Sequence, residues 1–580
     1  MRPFLSAVLF LSIACHSGAF VVDRTASGNP LRWNLLTPTV HTNLVNPSTH
    51  ALRYFLASDA FSTTNTAAEL NALRASFGQW QAVSGTHLKF EDAGLVAPGI
   101  DIDLDDNQNV VFWAKSSPIV FGGMANISGS LGRTFISFFS DGRIAEADIV
   151  LNGFDYDWFT DFTATSSTFQ FIEGTALHEI GHMVGLVHSP VGGASLMWVG
   201  SEGVDTQAGL SPDEISAARA HYPSNAQIAM LSALRGQVTK SGIGVFGAAV
   251  TLETSAGNVV AGTVTRSTGD YELAAVAPGS YQVRVSPLDP SSAFDWLIRG
   301  RDIDNDYNGA DTSFLPTPGQ PIVLTGGATN TLNLSLTAGN PAFRITYIRA
   351  TVTNAGQFIW ASLPTTLQIG QSNVTVGVAS ADLPTNGATL TITGDGLLQG
   401  PLTFRTNAFG TGLNFISTRV SVLSNATPGL RTFVVQKGSD VAYANAFVEV
   451  LPRAADYNFD GVADVFQRQY FPLWTAPIAG PAMDPDGDAF PNSSEAIAGT
   501  NPTNALSRLE IDSVTTSMSG ALVTWQSVAG KRYQLSSKAI LGAATWSAVG
   551  TPVTATGPTA QRLDPAGVSG ARFYRVEVLP

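Results

Sequence analysis

The sequence predicts a multidomain chain in which one mixed α/β unit precedes a run of all-β modules. Three observations carry this. The chain has 580 residues, enough for roughly three to five domains. Only 13% of the residues are charged, about half the usual share, and Gly, Ala, Thr, Ser and Val dominate. That composition suits β modules whose solvent faces are built from Thr and Ser. The hydrophobic pattern also changes along the chain. Helical signals occur before residue 223, and short alternating runs take over from Leu234.

Residues 1–19 read as an export signal. Arg2 supplies the positive end, and Phe4 to Ala14 is an apolar run of 11 residues, too short to span a membrane. Ser17-Gly18-Ala19 offers small residues for cleavage before Phe20. A secreted, extracellular protein is therefore expected. The rival is a lipoprotein signal with Cys15 as the lipidated residue. Cys15 is the sole cysteine, so cleavage after Ala19 leaves no disulfide, and stability must come from β cores and bound metal.

Residues 20–223 are assigned to the α/β unit, which holds the most informative stretch of the chain: His178-Glu179-Ile180-Gly181-His182-Met183-Val184-Gly185-Leu186-Val187-His188. His178 and His182 are four apart, so on a helix they share one face, one turn apart, and two imidazoles at that spacing can bind one metal ion. Glu179 projects beside them, within reach of a metal-bound water's proton. Gly185 tolerates the left-handed turn that ends helices, after which the chain can return His188 as a third ligand. Three histidines leave a fourth tetrahedral position for water, which marks a catalytic rather than a structural zinc.

This stretch resembles the long zinc motif of the metzincin metallopeptidases, H-E-x-x-H-x-x-G-x-x-H followed by a methionine turn. Met197, in Ser195-Leu196-Met197-Trp198, stands where the resemblance implies that methionine, beneath the zinc. Ser189 after the third histidine is similar to the matrixins, the matrix-metalloproteinase group. Position 198 is Trp, so a tyrosine ligand is not implied. Ser76–Trp80 followed by Leu88-Lys89-Phe90 resembles the first matrixin helix running into a strand, and Ala147–Asn152 the strand before the active-site helix. Leu210 to Tyr222 resembles the closing helix, with Ser211 as N-cap, Pro212 first in the helix and Glu214 completing a capping box. The resemblance covers roughly residues 30–223. It implies a twisted mixed sheet plus an active-site helix, one catalytic zinc on His178, His182 and His188, and Glu179 as general base. It also implies a substrate lying along an edge strand, here Arg133, Thr134, Phe135 and Ile136 with Ser137. Many matrixins carry a propeptide cysteine on the zinc. Cys15 lies in the export signal, so that form of latency is not expected. His41, His50, His87 and His221 form no second histidine cluster in the sequence, so one zinc is expected.

Residues 228–340 read as short strands and turns, among them Arg235–Thr239, Ala249–Leu252, Gly269–Leu273 and Gly279–Val285. They resemble the carboxypeptidase regulatory-like β-sandwich. An acidic loop follows, with Asp302, Asp304, Asp306, Asn308 and Asp311 able either to coordinate a hard cation or to form a solvated turn. A similar run, Asp101, Asp103, Asp105 and Asp106, reads as a half-buried strand because Ile102 and Leu104 alternate with it. Residues 341–452 give alternating runs such as Ala388–Thr393 and Thr432–Val435, and predict an immunoglobulin-like sandwich.

Residues 453–506 change character. Asp456, Asn458, Asp460 and Asp464 fill positions 1, 3, 5 and 9 of an EF-hand-like loop, with Gln467 at position 12. Asp484, Asp486, Asp488, Asn492 and Glu495 fill positions 1, 3, 5, 9 and 12 of another. The segment resembles the calcium-binding repeats of dockerins and thrombospondin type 3 modules, which implies structural calcium. Residues 507–580 form a last β module, with strands at Val523–Trp525, Arg532–Leu535 and Arg572–Val576.

The net charge is −14, and no basic cluster is present to neutralise phosphates, which disfavours nucleic-acid binding. No segment after the signal is long and apolar enough to span a bilayer. The reading is a secreted zinc endopeptidase acting on protein or peptide substrates. It is expected to be monomeric, with cell-surface or matrix attachment through its C-terminal β modules. The alternative is an adhesion or binding protein whose peptidase-like domain is inactive. Intact Glu179 favours the enzyme.

Overall fold

The computed structural model describes residues 22–579 apart from 26, 38–42, 161–168, 190–208, 225–228, 289–308, 353–357, 362–364, 453 and 568–569. Residues 1–19, read above as an export signal, Met197, and Asp302, Asp304, Asp306 and Asn308 of the acidic loop lie outside the described residues. The chain forms two compact units, Met1–Arg453 and Ala454–Pro580.

The first unit begins with a five-stranded sheet. Its strands are β1 (Leu52–Ala57), β2 (Phe90–Val96), β3 (Val110–Ala114), β4 (Gly132–Phe138) and β5 (Ile144–Asn152), in the order β2-β1-β3-β5-β4. The first four in that order run parallel, and only β4 is antiparallel, at the edge. β5 is buried at every position, as a strand covered on both faces must be. β4 is half-buried along most of its length, as an edge strand facing solvent on one side.

Two helices pack together beside this sheet. α1 (Thr66–Ala82) buries Leu70, Leu73, Phe77 and Trp80 on one stripe. The Trp80 indole N–H donates to the Leu177 carbonyl at 2.9 Å, locking α1 to α2 (Ile172–Met183). α3 (Pro212–His221) starts with a complete capping box: Ser211 Oγ accepts from the Asp213 N–H at 3.2 Å, and the Ser211 N–H donates to Glu214 Oε2 at 2.7 Å. Asp101–Asp106 is a turn-rich loop, not the expected strand. Its carboxylates cap main-chain amides instead: Asp101 accepts from Phe121 and Gly122, both at 2.7 Å.

The β modules share more than a linker. Strand Ser232–Lys240 pairs with Asp270–Val276 in one sheet. The opposing sheet runs Gln320–Leu324, Gly279–Pro287, Ala248–Thr254, Val259–Val264 and then, through Val259 and Leu430, into Gly429–Lys437, Asp440–Leu451 and Thr365–Gln368. One sheet therefore spans the stretches read from the sequence as separate sandwiches. Val259, Leu430 and Ala446 form a buried cluster at the junction, and Glu253 bonds Arg284 and Thr432 beside it.

The second unit carries α4 (Asp464–Tyr470) and α5 (Asn492–Ala498), then two small sheets built on Gly520–Gln526 and Arg532–Lys538 around Trp525 and Tyr533. No helix among the described residues is long and apolar enough to cross a membrane.

Candidate active site

α2 presents His178 and His182 from the same face, and the three imidazoles of His178, His182 and His188 converge. The Nε2 atoms of His182 and His188 lie 3.1 and 3.2 Å from Nε2 of His178. A tetrahedral ion with bonds of about 2.05 Å would space its ligands about 3.3 Å apart. The Leu186 carbonyl can only accept, so His182 Nδ1, 2.8 Å away, carries the proton and turns the Nε2 lone pair inward. Burial, reinforced by the neighbouring imidazoles, holds His182 down at about 3 and His188 well below the usual histidine range. Neutral imidazoles with inward lone pairs are what a zinc ion requires, so the donor set fits that metal.

Tertiary contacts bring His188 to the other two. Gly185 has φ +92°, and a Cβ there would lie 2.1 Å from the Leu31 carbonyl oxygen, so the turn requires glycine. Its N–H donates to the His182 carbonyl at 2.8 Å. The last carbonyls of α2 are satisfied from elsewhere: Trp33 Nε1 donates to Met183 at 2.8 Å and the Tyr222 hydroxyl to Val184 at 2.9 Å. Nothing local in the sequence marked Trp33 for this work.

Glu179 is buried beside the histidines, and Thr134 of the edge strand holds it. Thr134 Oγ1 lies 2.6 Å from Glu179 Oε2 and 2.9 Å from the Glu179 carbonyl. Gly132, one residue along β4 from Arg133, clears the carboxylate: a Cβ there would stand 2.9 Å from Oε1. The sequence placed Arg133, Thr134, Phe135 and Ile136 on an edge strand but showed neither Gly132 nor the Thr134–Glu179 bond, which joins distant segments. Among the described residues the sheet gives β4 one neighbour, β5, on one side. His50, His87 and His221 are each engaged by a main-chain carbonyl, of Leu35, Pro223 and Leu31 respectively.

In the second unit, Asp484, Asp486 and Asp488 converge. Asp484 spends both oxygens on the Gly487 and Ala489 amides at 2.9 Å. Asp486 Oδ2, Asp488 Oδ2, Asn492 Oδ1 and Glu495 Oε2 are buried without a hydrogen-bond donor. Burial, with the three aspartates adding to it, raises Glu495 to about 7. The other loop differs. Asp456 caps Asp460 and Gly461, Asp464 accepts from Tyr457, and the Gln467 amide donates to Asp460 Oδ2 at 2.7 Å. Asn458 Oδ1 is buried without a hydrogen-bond donor, and the grouping of three carboxylates within ligand distance of one another is found, among the described residues, at Asp484, Asp486 and Asp488. An amide at position 12 donates where a carboxylate would accept.

A mixed sheet, its helices and a converging histidine set thus stand together in the first part of the chain. Residues 47–223 match the family model described as Matrixin, so the chain carries a matrixin-like domain at its N-terminal end. Residues 233–293 match the carboxypeptidase regulatory-like domain. The matrixin match supports a zinc metallopeptidase at the level of the family, with a catalytic zinc and a protein substrate. No curated protein matches the chain. Among solved structures, 5-hydroxyisourate hydrolase of Klebsiella pneumoniae is 18% identical over 19% of this chain and 87% of its own, at a TM-score of 0.13. The major pilin BcpA of Bacillus cereus is 10% identical over 38% of this chain and 69% of its own, at a TM-score of 0.14. Likenesses at these scores carry no argument about fold or function.

Proposed function

We propose that this protein is a secreted endopeptidase whose zinc is held by Nε2 of His178, His182 and His188, with Glu179 as general base. The observation that supports it most is the convergence of three inward-facing imidazoles beside a carboxylate anchored to an edge strand. Zinc, when bound, supplies a Lewis acid that polarises the scissile carbonyl and brings a water's pKa to roughly 7. Glu179 takes the proton of the attacking water and returns it to the leaving amine. Thr134 keeps the carboxylate aimed while it does so. A substrate segment pairs through its main chain with β4 along Arg133, Thr134, Phe135 and Ile136, which accounts for an endopeptidase that accepts extended protein segments. Residues 1–19 direct export, and the β modules serve attachment or spacing. In the second unit, Asp484, Asp486, Asp488, Asn492 and Glu495 take up calcium, since oxygen-only donors select a hard cation. A casein zymogram of the full chain tests the enzyme. We expect a clear band that a zinc chelator abolishes and added zinc restores. A blank gel with zinc-loaded protein would leave the adhesion reading.

A further inference from the structure

We infer that the β module after the catalytic unit belongs to the scaffold of the metal site, with Asp213 as a positioning residue that ties the loop of His188 to that module. The inference rests on the zinc reading proposed above.

His188 lies beyond the end of α2, so helical periodicity does not aim it as it aims His178 and His182. Its position depends on what holds residues 184–189. Ser189, the next residue, is 1% exposed, and its hydroxyl donates to Asp213 Oδ2 at 2.6 Å. Asp213, in the first turn of α3, is also 1% exposed. Its other oxygen, Oδ1, accepts the Gly262 N–H at 2.9 Å, from the strand Val259–Val264. One buried carboxylate thus spans the third ligand's neighbour and the main chain of the appended module. Removing either donor leaves a buried oxygen without its partner, which costs more than the bond itself. On the other side of His188, Val187 packs against the core built by residues such as Val376, Ile416 and Val435. The seam is continuous: Leu177 and Ala217 share one buried cluster with Leu234, Val250 and Leu273, and Ser216 Oγ donates to the Ala274 carbonyl at 2.7 Å. The ligand loop is therefore clamped from both flanks by residues the catalytic unit does not supply alone. The groups that fix a metal ligand's orientation govern its affinity.

Full-length Ser189→Ala, Asp213→Ala and Ser216→Ala decide the matter. The readouts are zinc affinity, by competition with a chromogenic chelator, and the visible absorption of the cobalt-substituted protein. Ser189→Ala and Asp213→Ala should each weaken zinc by about tenfold or more and shift the cobalt bands. Ser216→Ala removes a bond across the same seam without touching Ser189, and should leave both readouts at wild type. Unchanged affinity in Ser189→Ala and Asp213→Ala overturns the inference, and so does an equal loss in Ser216→Ala, which would reduce the seam to general support. If Asp213→Ala fails to fold, Ser189→Ala decides. A wild-type chain that binds no zinc sinks the metal reading and this inference together. A zinc-binding wild type with unaltered variants sinks this inference alone.

Discussion

Thr134 Oγ1 stands between two acceptors of one glutamate, 2.6 Å from the Glu179 carboxylate and 2.9 Å from the Glu179 main-chain carbonyl, and its single O–H donates to the nearer, the carboxylate. One side chain of the edge strand therefore aims the carboxylate carried by α2. Thr134→Val keeps the shape and removes the hydroxyl. A hydrogen bond to a charged group is worth about 1.5–3 kcal/mol, so kcat should fall by about tenfold or more with zinc content unchanged. Steady-state kinetics with metal analysis check this. A variant with wild-type kcat would strip Thr134 of its aiming role.

Glu179→Gln should retain stoichiometric zinc and lose activity by about 10²–10⁴-fold, because an amide cannot accept the water's proton. Near-normal turnover in a zinc-loaded variant would remove Glu179 from the mechanism.

Gly185→Ala should destabilise the domain by about 1–3 kcal/mol and lower zinc content. The turn has φ +92°, and the new methyl would collide with the Leu31 carbonyl at 2.1 Å. Thermal unfolding and metal analysis read both effects, and an unchanged Tm contradicts the role given to this turn.

Acid should weaken the catalytic unit through His221. Burial lowers its pKa to about 4 against 6.5 for the free side chain. A folded-state pKa below the unfolded one means that the unfolded chain binds the proton first. Stability is thus complete above about pH 6.5 and drains away as pH falls towards 4. His221→Gln can still donate to the Leu31 carbonyl but does not titrate. Its stability should vary less than wild type between pH 4 and 6.5, measured by urea unfolding. Parallel curves for the two proteins would exclude His221 as a source of acid sensitivity.

Calcium should protect the Asp484–Glu495 loop. Four buried oxygens there lack donors, and a cation supplies what they lack. Limited proteolysis of the full chain should cut within residues 480–500 in a calcium chelator and spare them in millimolar calcium. Asp486→Asn with Glu495→Gln should abolish the difference. Equal cutting with and without calcium would falsify the calcium reading.

Part of this architecture was legible residue by residue. The helical spacing of His178 and His182, the glycine turn at 185 and the Ser211–Glu214 box are all set by neighbours within a turn or two, where backbone geometry leaves few choices. The strands around Arg235, Ala249 and Tyr281 were legible because alternation is a local signal. Asp101–Asp106 misled for the same reason. Its alternation looked like a strand, but Asp101 captured the amides of Phe121 and Gly122, twenty or so residues along the chain, while Asp103 and Asp106 capped amides of their own loop. In the loop at Asp456 the spacing of the carboxylates was legible, but that their oxygens accept nearby amides and the Gln467 side chain was not.

The sequence by itself determined which residues could form a zinc donor set, and that a mixed α/β unit precedes β modules. Both follow from periodicity and residue chemistry, which act over a few positions. Only the tertiary structure decided that Thr134 holds Glu179, that Trp33 and Tyr222 close the end of α2, and that Asp213 joins Ser189 to Gly262. It also decided that Val259 and Leu430 carry one sheet through two modules. These pairs stand tens to hundreds of residues apart. A hydroxyl, an indole or a lone strand edge has many partners that would satisfy it equally well, and packing of the whole chain selects among them.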